Sequence, residues 1–180
     1  MKKTKIRKII IIEGIWGSGK TTLAKELAKK LNGTFLKEPN HIMAGIKSKN
    51  INHITRWYLK YHQKNFDSAV KLALDGETII IERSILYNIA FQRVILKDKN
   101  TDVLFKNFIK SIKNIKKISD INIKFIYLKP KNLQKKLALM KTDKNVKRFA
   151  EICLLRDIDK ELVKLLSKLS DAALIELQIK

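Results

Sequence analysis

Two rhythms of apolar residues run along the chain. "KIIIIE" (8–13) is a continuous β-branched run that predicts a strand buried on both faces, "ETIIIERS" (77–84) predicts another buried strand, and "NIKFIYL" (122–128) a further strand. A shorter strand, "TFLKEP" (34–39), stops at a proline. Between these runs the spacing turns helical. In "TTLAKELAKKL" (21–31), Leu23, Leu27 and Leu31 recur four apart on one face, and "NG" (32–33) supplies a residue tolerant of left-handed geometry to end the helix. A long helix is expected near 50–74, with Trp57, Tyr58, Tyr61, Ala69, Val70 and Ala73 as apolar positions, followed by a "DG" turn at 75–76. Further helices are expected near 86–97, 102–118, 131–141 and 149–168. A basic polar break, "KTDKNVKR" (141–148), precedes the last of these, and a final strand is expected within "AALIELQI" (172–179).

Alternating strands and helices imply an α/β chain: a mostly parallel sheet of about five strands with helices on both faces. Nothing resembles a linker or a repeat, so residues 1–180 are expected to form a single domain. In such sheets ligands gather at the carboxyl ends of the strands, which singles out the loops after Glu13, Leu36, Ile81 and Leu128.

Composition changes this picture little. The chain is 45% apolar, enough for a sizeable core, and contains no apolar run near the length of a membrane span. Met1–Lys8 is basic and precedes isoleucines, but Glu13 and a glycine-rich loop follow instead of a small-residue cleavage site, so no secretory leader is expected. Cys153 is the single cysteine, and a cytoplasmic location fits best. The formal charge of +22 would suit a nucleic-acid binder. Lysine far outnumbers arginine, however, and is spread along every segment, so a coding bias is the preferred explanation.

Candidate chemistry begins after the first strand. Gly14-Ile15-Trp16-Gly17-Ser18-Gly19-Lys20-Thr21 matches G-x-x-x-x-G-K-[ST] in full, between a strand and a helix, with Thr22 continuing the helix start. Such a loop turns backbone N–H groups inward to cradle phosphates, and its glycines let the backbone come close. Lys20 can then reach terminal phosphates, and the Thr21 hydroxyl can ligate Mg²⁺. This calls for ATP and Mg²⁺ as cofactors.

Two other strand ends carry acids. "IIIERS" (79–84) presents Glu82, a candidate for holding Mg²⁺ through water, and Arg83, a candidate bridge between donor and acceptor. "LKEPN" (36–40) presents Glu38. His41, His53 and His62 lack metal-ligand spacing with Cys153, so no site of that kind is expected. Trp57, Tyr58 and Tyr61 are expected to form core or pocket wall rather than a stacking platform for nucleic acid.

Together these stretches resemble the thymidylate kinase and deoxynucleoside kinase group of P-loop kinases, which implies the three-layer P-loop nucleoside triphosphate hydrolase fold. "EGIWGSGKTT" (13–22) is similar to the group's E-G-x-x-G-x-G-K-[ST]-T, and "LKEP" (36–39) to its T-R-E-P or E-P. "ETIIIERS" resembles the strands leading to D-R or E-R-S, "IAFQ" (89–92) resembles L-A-Y-Q, and "KNVKRFAEICLLRDIDKEL" (144–162) resembles the lid and its following helix. Trp16 stands where thymidylate kinases place an aspartate, and Glu82-Arg83-Ser84 also leans toward deoxynucleoside kinases. Lys37-Glu38-Pro39 and Phe91-Gln92 lean toward the monophosphate kinases.

The resemblance implies phosphoryl transfer from ATP, with dTMP to dTDP placed first and a nucleoside 5′-hydroxyl as the alternative acceptor. A nucleic-acid-associated ATPase, or a non-catalytic nucleotide binder, is a further alternative. Arg83 and Arg148, in a lid at about 141–148, would balance charge on the moving phosphoryl. Glu38 would act as base toward a nucleoside, or Lys37 would orient a monophosphate. Trp57, His62 and Gln92 would line the acceptor site, with His62 near the base-reading position. Homodimers are common in the resembled families and are implied here by analogy alone.

Overall fold

The computed structural model describes residues 7–98, 100–129 and 152–169. Its elements are β1 (Lys8–Glu13), α1 (Lys20–Leu31), β2 (Thr34–Leu36), α2 (Ile51–Leu74), β3 (Thr78–Glu82), α3 (Ile85–Phe91), a π-helical turn (Gln92–Leu96), α4 (Thr101–Ile118), β4 (Asn122–Tyr127) and α5 (Ile152–Ser167). The strands form one parallel sheet in the order β2-β3-β1-β4. Among the described residues the sheet therefore has four strands rather than about five. The expected strand within 172–179, the helix near 131–141 and the lid with Arg148 lie outside the described residues.

β1 is central, paired with β3 on one side and β4 on the other, with Ile11 opposite both Ile81 and Phe125. That position explains its unbroken isoleucines, because both faces are covered. Alternation assigns the faces. Ile9, Ile11, Ile79, Ile81, Ile123 and Phe125 belong to the larger core, with Phe66, Leu86, Phe108 and Leu162 from α2–α5. Ile10, Ile12, Ile80 and Leu128 pack with Ala24 and Ala28 of α1 on the opposite face. Each fully buried isoleucine contributes about 1.5–3 kcal/mol relative to exposure.

α1 turns differently from the leucine pattern. Ala24 and Ala28 are the buried residues on the sheet, while Leu23 and Leu27 flank them and Leu31 is 38% exposed. Small side chains let the helix sit close to the strands, so alanine marks the contact line. The Asn32 cap is left-handed, as its "NG" predicts. The helix expected over 86–97 is not continuous: α3 widens into the π-helical turn, and left-handed Lys97 ends it. This turn brings Arg93 to Glu161 of α5 at 2.6 Å and to Asp102 and Thr101 of α4.

Candidate active site

The parallel order places the carboxyl ends of β1, β2 and β3 side by side. The loop after β1 reverses through Gly14, Gly17 and Gly19, all at positive φ, and α1 begins at Lys20. Gly14 has no alternative: at φ +144° a β-carbon there would lie 2.7 Å from the Leu128 carbonyl oxygen and 2.9 Å from Ser18 Oγ. Ile15 is fully buried beneath the loop, whereas Trp16 is 37% exposed at its tip.

Lys20 is buried and folds back over the loop, its Nζ donating to the Ile15 carbonyl at 2.7 Å. Burial, then the neighbouring Arg83 charge, lowers its pKa to about 7 against the opposing pull of Glu38, Glu82 and Glu13. A polyphosphate entering the cradle would reverse that balance.

Glu82 links the elements. One of its carboxylate oxygens accepts from the Thr21 hydroxyl, and the other accepts from the Glu38 backbone N–H at 3.4 Å. The hydroxyl and carboxylate together are hard oxygen donors, which suit Mg²⁺ held partly by substrate phosphates.

Arg83 is buried at the centre. Its Nη1 donates to Glu38 Oε1 at 2.9 Å, its Nη2 donates to the Gly14 carbonyl at 3.3 Å, and its guanidinium lies 3.8 Å from the Tyr87 ring centroid. Burial of Glu38 opposes its ionisation, but the fields of Arg83, His62 and Lys20 outweigh it and draw its pKa down to about 2. The carboxylate is held charged.

His62 reaches this centre from α2, with Nε2 3.7 Å from Glu38 Oε1 and its ring stacked near Tyr58. Neither ring nitrogen has a hydrogen-bond partner among the described residues, though the residue is 2% exposed. Trp57 packs edge-on against Tyr58 and tilted over Tyr61, in a wall that His41 closes, its Nδ1 lying 3.1 Å from the Tyr58 hydroxyl.

Gln92 is buried and its amide nitrogen donates back to the Asn88 carbonyl at 3.4 Å, so its donor faces its own helix. Lys37 is exposed. Sequence reasoning assigned no role to several residues in or beside the cluster. Fully buried Glu13 accepts from both the backbone N–H and the hydroxyl of Ser84, and Asn88 has a buried amide nitrogen with no partner among the described residues. Their signals were present: an acid ending an all-isoleucine strand, and a lone amide within "ILYNIAF".

The family model for deoxynucleoside kinase matches residues 10–179, nearly the whole sequence. The chain belongs to the deoxynucleoside kinase family. It is therefore a nucleotide-binding phosphotransferase, a nucleoside or nucleotide kinase with a P-loop. No curated protein matches it significantly. Among solved structures, the deoxyadenosine kinase from M. mycoides with bound dATP is similar at 21% identity, with a TM-score of 0.63 over 94% of this chain and 90% of that one. Thymidylate kinase from Ehrlichia chaffeensis is similar at 15% identity, with a TM-score of 0.57 over 96% and 88%. YorR from Bacillus subtilis, solved with phosphorylated GDP, is similar at 18% identity, with a TM-score of 0.51 over 93% and 85%. At these identities the structural likeness speaks for the fold. Among the described residues, no helix is long and apolar enough to cross a membrane.

Proposed function

We propose that the protein transfers the terminal phosphoryl of ATP to the 5′-hydroxyl of a deoxynucleoside. The observation that carries this reading is the position of Glu38, whose Oε1 lies 2.9 Å from Arg83 Nη1 just past the end of β2. A neutral hydroxyl must lose a proton as it attacks, and Glu38 is the base within reach of that site. An acceptor that is already a phosphate needs no base. It would meet the Glu38 charge and compete with it for Arg83. This reverses the preference for dTMP drawn from the sequence.

Roles follow from position. Lys20 and the inward amides of Gly14–Thr21 hold the donor phosphates. Thr21 and Glu82 would hold Mg²⁺, which when bound neutralises phosphate charge. Arg83 touches both the Gly14 carbonyl in the donor loop and the acceptor-side carboxylate, so it can balance charge between the two substrates. Arg148, outside the described residues, is proposed as the lid cation. His62, whose ring nitrogens have no hydrogen-bond partner among the described residues, and the Trp57–Tyr58 wall form the acceptor pocket. The M. mycoides deoxyadenosine kinase, solved with dATP and with the products dCMP and dCDP, supports a deoxynucleoside of this kind.

A dTMP acceptor retains one support, the Lys37 cation beside Glu38. A coupled ADP-release assay with Mg·ATP across deoxynucleosides and their monophosphates separates the readings. Turnover of a deoxynucleoside with dTMP inert is expected; turnover of dTMP alone overturns the proposal.

A further inference from the structure

Three non-glycine residues among those described have positive φ: Asn32, Arg83 and Lys97. Asn32 caps α1 and Lys97 ends the π-helical turn, where left-handed geometry is ordinary. Arg83, at φ +70°, is different. It sits between β3 and α3 and carries the guanidinium at the centre of the site, and such strain persists only where surrounding contacts enforce it.

Those contacts come from three consecutive residues at the end of β1. The Ile12 carbonyl accepts the Arg83 backbone N–H at 3.0 Å, and the Gly14 carbonyl accepts from Nη2 at 3.3 Å. Between them, one oxygen of Glu13 accepts both the N–H of Ser84, at 2.8 Å, and its hydroxyl. The same Ser84 oxygen accepts from Leu86 N–H at 3.2 Å and so starts α3, whose Tyr87 lies under the guanidinium. Glu13 is fully buried at the end of a run of isoleucines, and burial raises its carboxyl pKa to about 7 against the opposing pull of its two Ser84 hydrogen bonds, Arg83 and Lys20. The two hydrogen bonds fix the backbone on the far side of Arg83.

We propose that Glu13 is a positioning residue for phosphoryl transfer: it grips Ser84, keeps Arg83 left-handed, and so aims the guanidinium at Glu38 and the donor loop. The inference rests on the role given to Arg83 above and does not depend on which acceptor is used.

The test compares E13A, E13Q, S84A and the E13A/S84A double variant, using whichever acceptor the wild-type protein turns over, so a failure of the deoxynucleoside assignment leaves it intact. E13A is expected to lose about a hundredfold in kcat, the cost of about an ångström of misplacement. Its Mg·ATP affinity by calorimetry should stay within about threefold of wild type, because the loop amides are untouched and Glu13 is the smallest of the three acidic pulls on Lys20. E13Q keeps an acceptor oxygen in place and should restore most of the rate. The double variant should lose clearly less than the product of the two single losses, since both remove the Glu13–Ser84 link, although S84A also removes the Leu86 cap. Equal impairment of E13Q and E13A, multiplying losses, or ATP affinity falling in step with kcat would each overturn the proposal. If thermal melts show that E13A does not fold, S84A decides alone. It keeps the backbone bond to Glu13 and should lose about tenfold in kcat at unchanged ATP affinity. An unchanged kcat in folded S84A overturns the proposal.

Discussion

Replacing Glu38 by glutamine keeps the shape of the side chain and removes its charge, leaving Arg83 buried without its carboxylate. The pKa of Glu38, drawn from 4.5 to about 2, measures how strongly the fold favours the ionised form. Each pKa unit corresponds to about 1.4 kcal/mol, so the charged state contributes about 3 kcal/mol to stability. The sign is that of a depressed acid. The contribution is complete above about pH 4.5 and is lost as the pH falls through about 2. E38Q should therefore unfold earlier in urea at pH 7 by about 3 kcal/mol, or about 6–12 °C lower in a thermal melt. The gap from wild type should close as the pH falls below 4.5. In the coupled assay kcat should drop about 10²–10⁴-fold through loss of the base. A gap that stays constant from pH 7 to pH 3, together with kcat within about tenfold of wild type, would refute the reasoning.

Three further perturbations probe the donor side. Lys20, with its pKa near 7 before a polyphosphate arrives, should take up protons when ATP binds at pH 8 and almost none at pH 5.5; calorimetry in buffers of different ionisation heat measures this, and equal uptake at both pH values contradicts it. Glu82→Gln retains an oxygen for the Thr21 hydroxyl but loses charge, so the Mg²⁺ concentration for half-maximal activity should rise about 10–100-fold; an unchanged value removes Glu82 from the metal's surroundings. Gly14→Ala should destabilise the protein by about 1–3 kcal/mol from backbone strain alone and abolish ATP binding; a normal melt with normal binding would mean the Leu128 approach is not enforced.

Much of this fold is legible in the sequence because strands buried on both faces admit only apolar side chains. The isoleucine runs mark β1 and β3, and the Lys20 motif fixes the phosphate loop between β1 and α1. Other features depend on packing that spacing does not encode. The leucines of α1 only flank the contact line, because alanines, being small, make the close contact with the sheet, and Leu31 is left exposed. The π-helical turn arises where Arg93 reaches two other helices, a constraint outside its own segment. The site shows the same division. Lys20, Thr21, Glu38, Glu82 and Arg83 were each visible at a strand end or in the motif, and the parallel order gathers them. The task of Glu13 is not legible in its own segment, because its partner Ser84 is 71 residues away. His62, expected near the acceptor's base, lies beside the Glu38 carboxylate within this site.

The central claim is that Glu38 and Arg83 serve a hydroxyl acceptor. Product analysis by mass spectrometry, after a single turnover of stoichiometric Mg·ATP with an equimolar mixture of deoxyadenosine, deoxycytidine and dTMP, tests it most directly. The account predicts a new deoxynucleoside 5′-monophosphate and unchanged dTMP. Formation of dTDP with both nucleosides untouched would contradict it.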